Sequence, residues 1–197
     1  MENQSAKLYT YSDYITWNDM RCELIEGVQK VMAGVSQWHT RVTLRLGSML
    51  DWFWDKKGHP KYYVFHAPFD VILFPDEPYQ KSATVVQPDL GVCLNEKRKG
   101  RVIIGAPELL IEVTSSNLGY DFRTKYDLYE RAGVLEYWIV IPKENNISVY
   151  ILNKETGKYN DAVCYELDLN DKIKSEVIEG FEVDLKSIFD FRGLENE

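Results

Sequence analysis

An α/β (α+β) fold, with a mixed β-sheet core flanked by helices, follows from three features of this 197-residue chain. Segments rich in Val, Ile, Phe and Tyr, bounded by Pro or Gly, read as strands at 61–74, 84–94 and 107–114. A long amphipathic helix spans 36–56. A second helix, at 118–132, separates the 107–114 strand from an apolar run at 134–141, and a strand–helix–strand order of this kind calls for a mixed sheet.

In chain order, residues 10–20 read as a helix capped by Thr10 or Ser12. Residues 21–34 alternate as a strand or hairpin turning at Gly27. In 36–56, Trp38, Val42, Leu46, Met49, Leu50 and Phe53 fall on one helical face, and Gly58 and Pro60 end the helix. Ser115, Ser116 and Asn117 offer caps for 118–132, which Gly133 stops. The run 134–141 is a buried strand closed by Pro142. Residues 146–153 and 158–166 form an additional C-terminal hairpin across 154–157. From Ile173 the tail holds a short strand and a last helical turn. No repeat or low-complexity linker interrupts the sequence, so residues 1–197 are expected to form one domain.

Composition narrows the function. Hydrophobic residues make up 45% and charged residues 27%, an ordinary globular balance, and the formal net charge is −8. A broad basic face for wrapping duplex DNA is excluded, so any contact with nucleic acid is local and salt-sensitive. The cysteines (Cys22, Cys93, Cys164) are odd in number and form no CxxC pair, which points to reduced thiols. Residues 1–10 are polar, and no apolar run reaches the roughly 20 residues that a membrane helix needs. The expectation is a cytoplasmic protein without membrane contact.

Four residues sit oddly for structure alone. In 107–114, Leu109, Ile111 and Val113 share one face and Leu110, Glu112 and Thr114 the other, as in a strand buried on both sides. Glu112 therefore places a carboxylate near the core, which is costly unless a cation or donors satisfy it. In the next helix Leu118, Phe122, Tyr126 and Tyr129 face inward. Lys125 projects into that stripe, while Arg123, Thr124, Asp127, Glu130 and Arg131 face away. Lys125 either extends out to solvent along its stem or reaches Glu112. Asp89, in Val86-Gln-Pro-Asp-Leu90, is either part of a Pro-Asp turn or a carboxylate at a strand end beside Glu112. Two facing carboxylates repel unless a cation lies between them, and hard oxygen ligands suit Mg²⁺. Glu23 is either a strand-edge carboxylate or a further acidic ligand.

Two weaker signals remain. His39, at the edge of the 36–56 stripe, fits a core or interface group better than a catalyst. The basic run at 95–101, including Lys97 and Arg101, is either a solvated loop or a phosphate contact near the site. There is no P-loop, HExxH, GxSxG or GxGxxG motif, and with only three His a His/Cys zinc cage is not expected.

Four stretches together resemble the PD-(D/E)XK, restriction-endonuclease-like superfamily, and within it the Uma-type endonucleases. They are Glu23-Leu-Ile-Glu-Gly27, Gln87-Pro-Asp-Leu90, Ala106-Pro-Glu-Leu-Leu-Ile-Glu-Val-Thr-Ser115 and Lys125-Tyr-Asp-Leu-Tyr-Glu-Arg-Ala-Gly-Val-Leu-Glu-Tyr-Trp138. The likeness covers about residues 21–189. It implies that Asp89 and Glu112 bind a metal, that Lys125 is the superfamily's lysine, and that Glu23 is an additional acidic group. Thr114 stands where the E-x-K form has lysine, so the amine is supplied from the following helix.

The expected activity is Mg²⁺- or Mn²⁺-dependent hydrolysis of phosphodiester bonds in DNA, with the cation held by Asp89, Glu112 and the Val113 carbonyl. The alternatives are an inactive nuclease fold serving as an interaction or regulatory protein, and a metal-dependent hydrolase of small phosphoesters. Aromatic content and open strand edges suggest a homodimer.

Overall fold

The computed structural model describes residues 7–17, 21–58, 61–114, 120–169 and 172–190, with backbone alone at 120–122. The elements are α1 (Tyr11–Tyr14), β1 (Cys22–Ile25), β2 (Val28–Val31), α2 (Gln37–Lys57), β3 (Tyr62–His66), β4 (Asp70–Ile72), β5 (Val85–Val86), β6 (Leu90–Leu94), β7 (Arg98–Lys99), β8 (Val102–Ile104) and β9 (Leu109–Val113). They continue with α3 (Tyr120–Ala132), β10 (Glu136–Ile141), β11 (Asn146–Asn153), β12 (Lys158–Tyr159), β13 (Val163–Glu166), β14 (Lys172–Lys174), β15 (Glu182–Asp184) and α4 (Leu185–Ile188).

The mixed α and β content matches expectation, but the strands divide between two larger sheets and a hairpin. One sheet has the order β2-β1-β5-β4-β8-β7, the other β12-β11-β10-β9-β6-β3 with β13 also on β11, and β14 pairs with β15. The single strand expected at 61–74 is two strands in different sheets, as is that at 84–94. Both breaks contain a proline, Pro68 or Pro88, whose missing N–H ends a ladder. The short strands β7 and β8 were not foreseen.

The helix expected at 10–20 closes at Tyr14, where Ile15 caps it. Trp17 then packs edge-on against the rings of Tyr9 and Tyr14 at 5.2 and 5.5 Å instead of extending the helix. Residues 18–20 of that helix, and the three expected caps at 115–117, lie outside the described residues. The β1–β2 hairpin turns on Glu26 and Gly27 at φ of 50° and 80°, the paired left-handed conformation that a tight two-residue hairpin needs. The return arm of the later hairpin is broken into β12 and β13. The register shifts by one residue between Leu152↔Tyr159 and Val149↔Val163, which marks a bulge.

β9 is the centre of the second sheet, antiparallel to β6 and parallel to β10. Its five residues are all buried. Ile111 and Val113 pack with Val42, Leu46 and Leu50 of α2 on one face. Leu110 packs on the other face with Leu128 and Tyr129 of α3, Tyr137 of β10, and Val71, Val86 and Ile103 of the first sheet. The predicted α2 stripe is thus the one that is buried, over a helix capped by Ser36 and ended at Gly58. Beside β9, Gly91 faces Phe65 so closely that a Cβ there would lie 2.2 Å from the ring, so β6 accepts no side chain at that point.

Candidate active site

The register of β6 on β9 pairs Leu90 with Ile111. One step further along, Asp89 stands beside the end of β9 that carries Glu112 and Val113. Asp89 is therefore more than a turn residue: its Oδ2 accepts from the Val113 N–H at 2.8 Å, and its Oδ1 lies 2.9 Å from His39 Nε2. N–H and C=O of one residue leave an extended strand on the same edge, so the Val113 carbonyl is directed to this side too.

Glu112 lies on the Leu110 face, under α3. Lys125 reaches it, as the apolar stripe of the helix suggested, with Nζ 2.9 Å from Oε1. Tyr129, one turn further along the same helix face, donates its hydroxyl to that oxygen at 2.6 Å. Glu23 of β1 joins from the first sheet: its Oε1 is 3.1 Å from Lys125 Nζ and accepts from the Gln87 N–H at 2.8 Å. Gln87 is itself fixed, because its amide donates to Tyr14 Oη and Asp70 Oδ1. The Gln87-Pro88-Asp89 break thus holds Glu23 through its backbone and carries Asp89 two residues later.

All four expected residues converge. Glu23, Asp89 and Glu112 are 5%, 9% and 8% exposed, so three carboxylates share a buried region with one ammonium. The charge shifts record the imbalance. Burial pushes the Glu112 carboxyl up, the negative charges of Asp89 and Glu23 add to this, and Lys125 opposes it, leaving a pKa of about 7. Burial works against the Lys125 charge, but Glu112 and Glu23 outweigh it and hold the amine protonated.

The cluster opens on a cleft of about 180 Å³, lined also by Arg21, Lys30, Thr114 and Tyr137. Thr124, expected to face away, lines it as well. Thr114 and Lys125 thus border one cleft, so an amine from α3 reaches the region that a lysine at position 114 would serve. Lys97 of the basic run lies elsewhere. Lys97 bonds the Ala106 carbonyl and Glu108, and the run begins at the far end of β6 from Asp89, roughly 17 Å along an extended strand. That separation sets Lys97 apart from the carboxylates.

Whether these groups suit a divalent cation can be tested on their donors. Asp89 and Glu112 each have an oxygen with unused lone pairs, and the buried charge is net negative. Among the described residues no three His, Cys, Asp or Glu side chains form a ready cage. Any fit therefore rests on the two carboxylates, and Mg²⁺ is an ion that takes one or two carboxylates and keeps its waters. The residues fit such an ion.

The sequence pattern of Uma2, described as "Putative restriction endonuclease", matches residues 10–186. The chain belongs to the Uma2 family. A crystal structure of "a putative nuclease belonging to DUF820" from Anabaena variabilis ATCC 29413 is similar to this Uma2 chain, with a TM-score of 0.73 and 13% identity. The match covers 92% of this chain and 97% of that one, and at this identity it shows a shared fold. No curated protein matches. Among the described residues of this Uma2 protein no helix is long and apolar enough to cross a membrane.

Proposed function

We propose that this Uma2 chain is a divalent-metal-dependent nuclease that hydrolyses phosphodiester bonds in DNA. The observation that carries the reading is the imbalance at the cleft: three buried carboxylates, one partly buried ammonium, and an opening flanked by Arg21 and Lys30. Asp89, Glu112 and the Val113 carbonyl would hold Mg²⁺ or Mn²⁺. Such a cation supplies an acidified water and offsets the charge that builds on the phosphate.

Lys125, kept charged by Glu112 and Glu23, orients the attacking water and neutralises charge beside the scissile bond. Glu23 holds the amine from its second side. Arg21 and Lys30 supply the local positive rim that a chain of net charge −8 needs to receive a phosphate backbone. Free cysteines suit the cytoplasm, and the open edge strands β2 and β3 suit a homodimer.

Plasmid nicking tests the proposal. Nicking that depends on Mg²⁺ or Mn²⁺ and disappears in Asp89→Ala and Lys125→Ala, with both variants folded, is expected. Parent-like cutting by both variants would sink it. One observation favours a second reading, a nuclease fold retained as a non-catalytic interaction or regulatory protein: Lys125 already pairs with two of the three carboxylates. That reading expects no Mg²⁺ or Mn²⁺ binding by calorimetry. Turnover of small phosphoesters without DNA cleavage would instead identify a hydrolase of that class.

A further inference from the structure

Building on the assignment of Asp89 to the metal site, we infer that His39 is the positioning residue that fixes the Asp89 carboxylate for its cation. His39 lies in the first turn of α2, its backbone N–H bonded to the Ser36 cap. Its side chain is 10% exposed and its Nε2 lies 2.9 Å from Asp89 Oδ1. Its Nδ1 is buried and, among the described residues, has no hydrogen-bond partner. The contact with Asp89 is therefore the ring's one polar contact among those residues.

An apolar side chain would serve packing better. Val42, Leu46 and Leu50 fill the buried face of the same helix, and none of them strands a polar atom in the protein. A buried polar group without a partner calls for an explanation, and the other ring nitrogen supplies it. His39 donates to Oδ1 while the Val113 N–H donates to Oδ2 at 2.8 Å. Two donors from separate elements fix the plane of the carboxylate, and each oxygen keeps a lone pair.

His39 is not placed to bind the cation itself. Nε2 is engaged by Asp89, and Nδ1 is enclosed in the protein. The His39–Asp89 pair also borders two clefts: the carboxylate cleft and a neighbouring one along α2, lined by Thr43, Gly47 and His66, both contain His39, Asp89 and Arg21. Loss of the imidazole would leave Asp89 with one fixed oxygen and free to turn towards the second cleft. Groups that orient a metal ligand in this way contribute to affinity without touching the metal.

The test is Mn²⁺ titration of the full chain by calorimetry, comparing the parent with His39→Ala, His39→Gln and Asp89→Ala. Near-ultraviolet circular dichroism serves as the check on folding. His39→Ala is expected to bind Mn²⁺ about 10- to 100-fold more weakly. His39→Gln, whose amide can replace the Nε2–H donor, is expected to restore near-parent affinity. Parent-like affinity in His39→Ala, or a glutamine variant as weak as the alanine one, would overturn the inference. Parent-like affinity in Asp89→Ala would overturn the metal assignment beneath it, a result distinct from failure at His39 alone.

Discussion

Glu112 of β9 and Glu136 of β10 are buried carboxylates on neighbouring strands, and they are satisfied in opposite ways. Glu136 is 0% exposed and takes neutral donors: Trp138 Nε1 at 2.6 Å, Ser175 Oγ at 2.6 Å and the Val177 N–H at 2.9 Å. It ties β10 to the segment between β14 and β15. Burial raises its pKa, and the donors oppose the rise. Glu112 instead shares Oε1 between Tyr129 and Lys125, faces Asp89 and Glu23, and opens on a cleft. One acid closes a joint in the fold. The other is left with repulsion that a further cation would relieve, which is why burial alone marks neither as functional.

The largest expected effect comes from removing the ammonium that pairs with both Glu112 and Glu23. Lys125→Met strands Glu112 and Glu23 together, and metal-free urea unfolding at pH 8 should show a loss of about 3–5 kcal/mol. A loss of about 1 kcal/mol or less, the size of a surface pair, would mean that Lys125 does not govern the cluster.

Next comes the pH dependence of Glu112. Between its ordinary value of 4.5 and about 7, the folded chain keeps a proton that the unfolded chain releases. Stability from this group is therefore full at the acidic end and lost as pH rises through the window. Lys125, shifted upward, titrates above that range. Glu112→Gln should remove this component of the metal-free pH slope, and Mg²⁺ should flatten it in the parent. An identical slope in the variant would break the contrast.

The smallest effect belongs to Glu136→Gln. The amide keeps the shape but cannot accept from every donor around Oε2, a loss of about 1–3 kcal/mol by thermal unfolding. Mn²⁺ affinity should stay at the parent value. Weakened binding would show that the two acids are not separate.

Much of this contrast was legible in the residues. Glu112 and Lys125 betrayed themselves by interrupting apolar faces at strand and helix periods, and the structure brings them to 2.9 Å. Tyr129 was readable too, one helical turn from Lys125, but as core and not as a donor. The two-sheet arrangement was not legible. Pro68 and Pro88 signal breaks, yet which sheet each half joins depends on long-range pairing such as Leu24↔Val85 and Asp70↔Val102. Nor could the order of residues show that Lys97 lies far from Asp89, because β6 separates them end to end. Gln87 escaped notice because its bond to Glu23 uses the backbone N–H, which every non-proline residue has.

Anomalous diffraction from crystals soaked in Mn²⁺ measures most directly whether the carboxylate cluster holds a cation. One strong peak is expected within bonding distance of Asp89 and Glu112, on the side of the Val113 carbonyl. Absence of any peak there at saturating Mn²⁺, with Lys125 still seated between Glu112 and Glu23, would contradict that expectation.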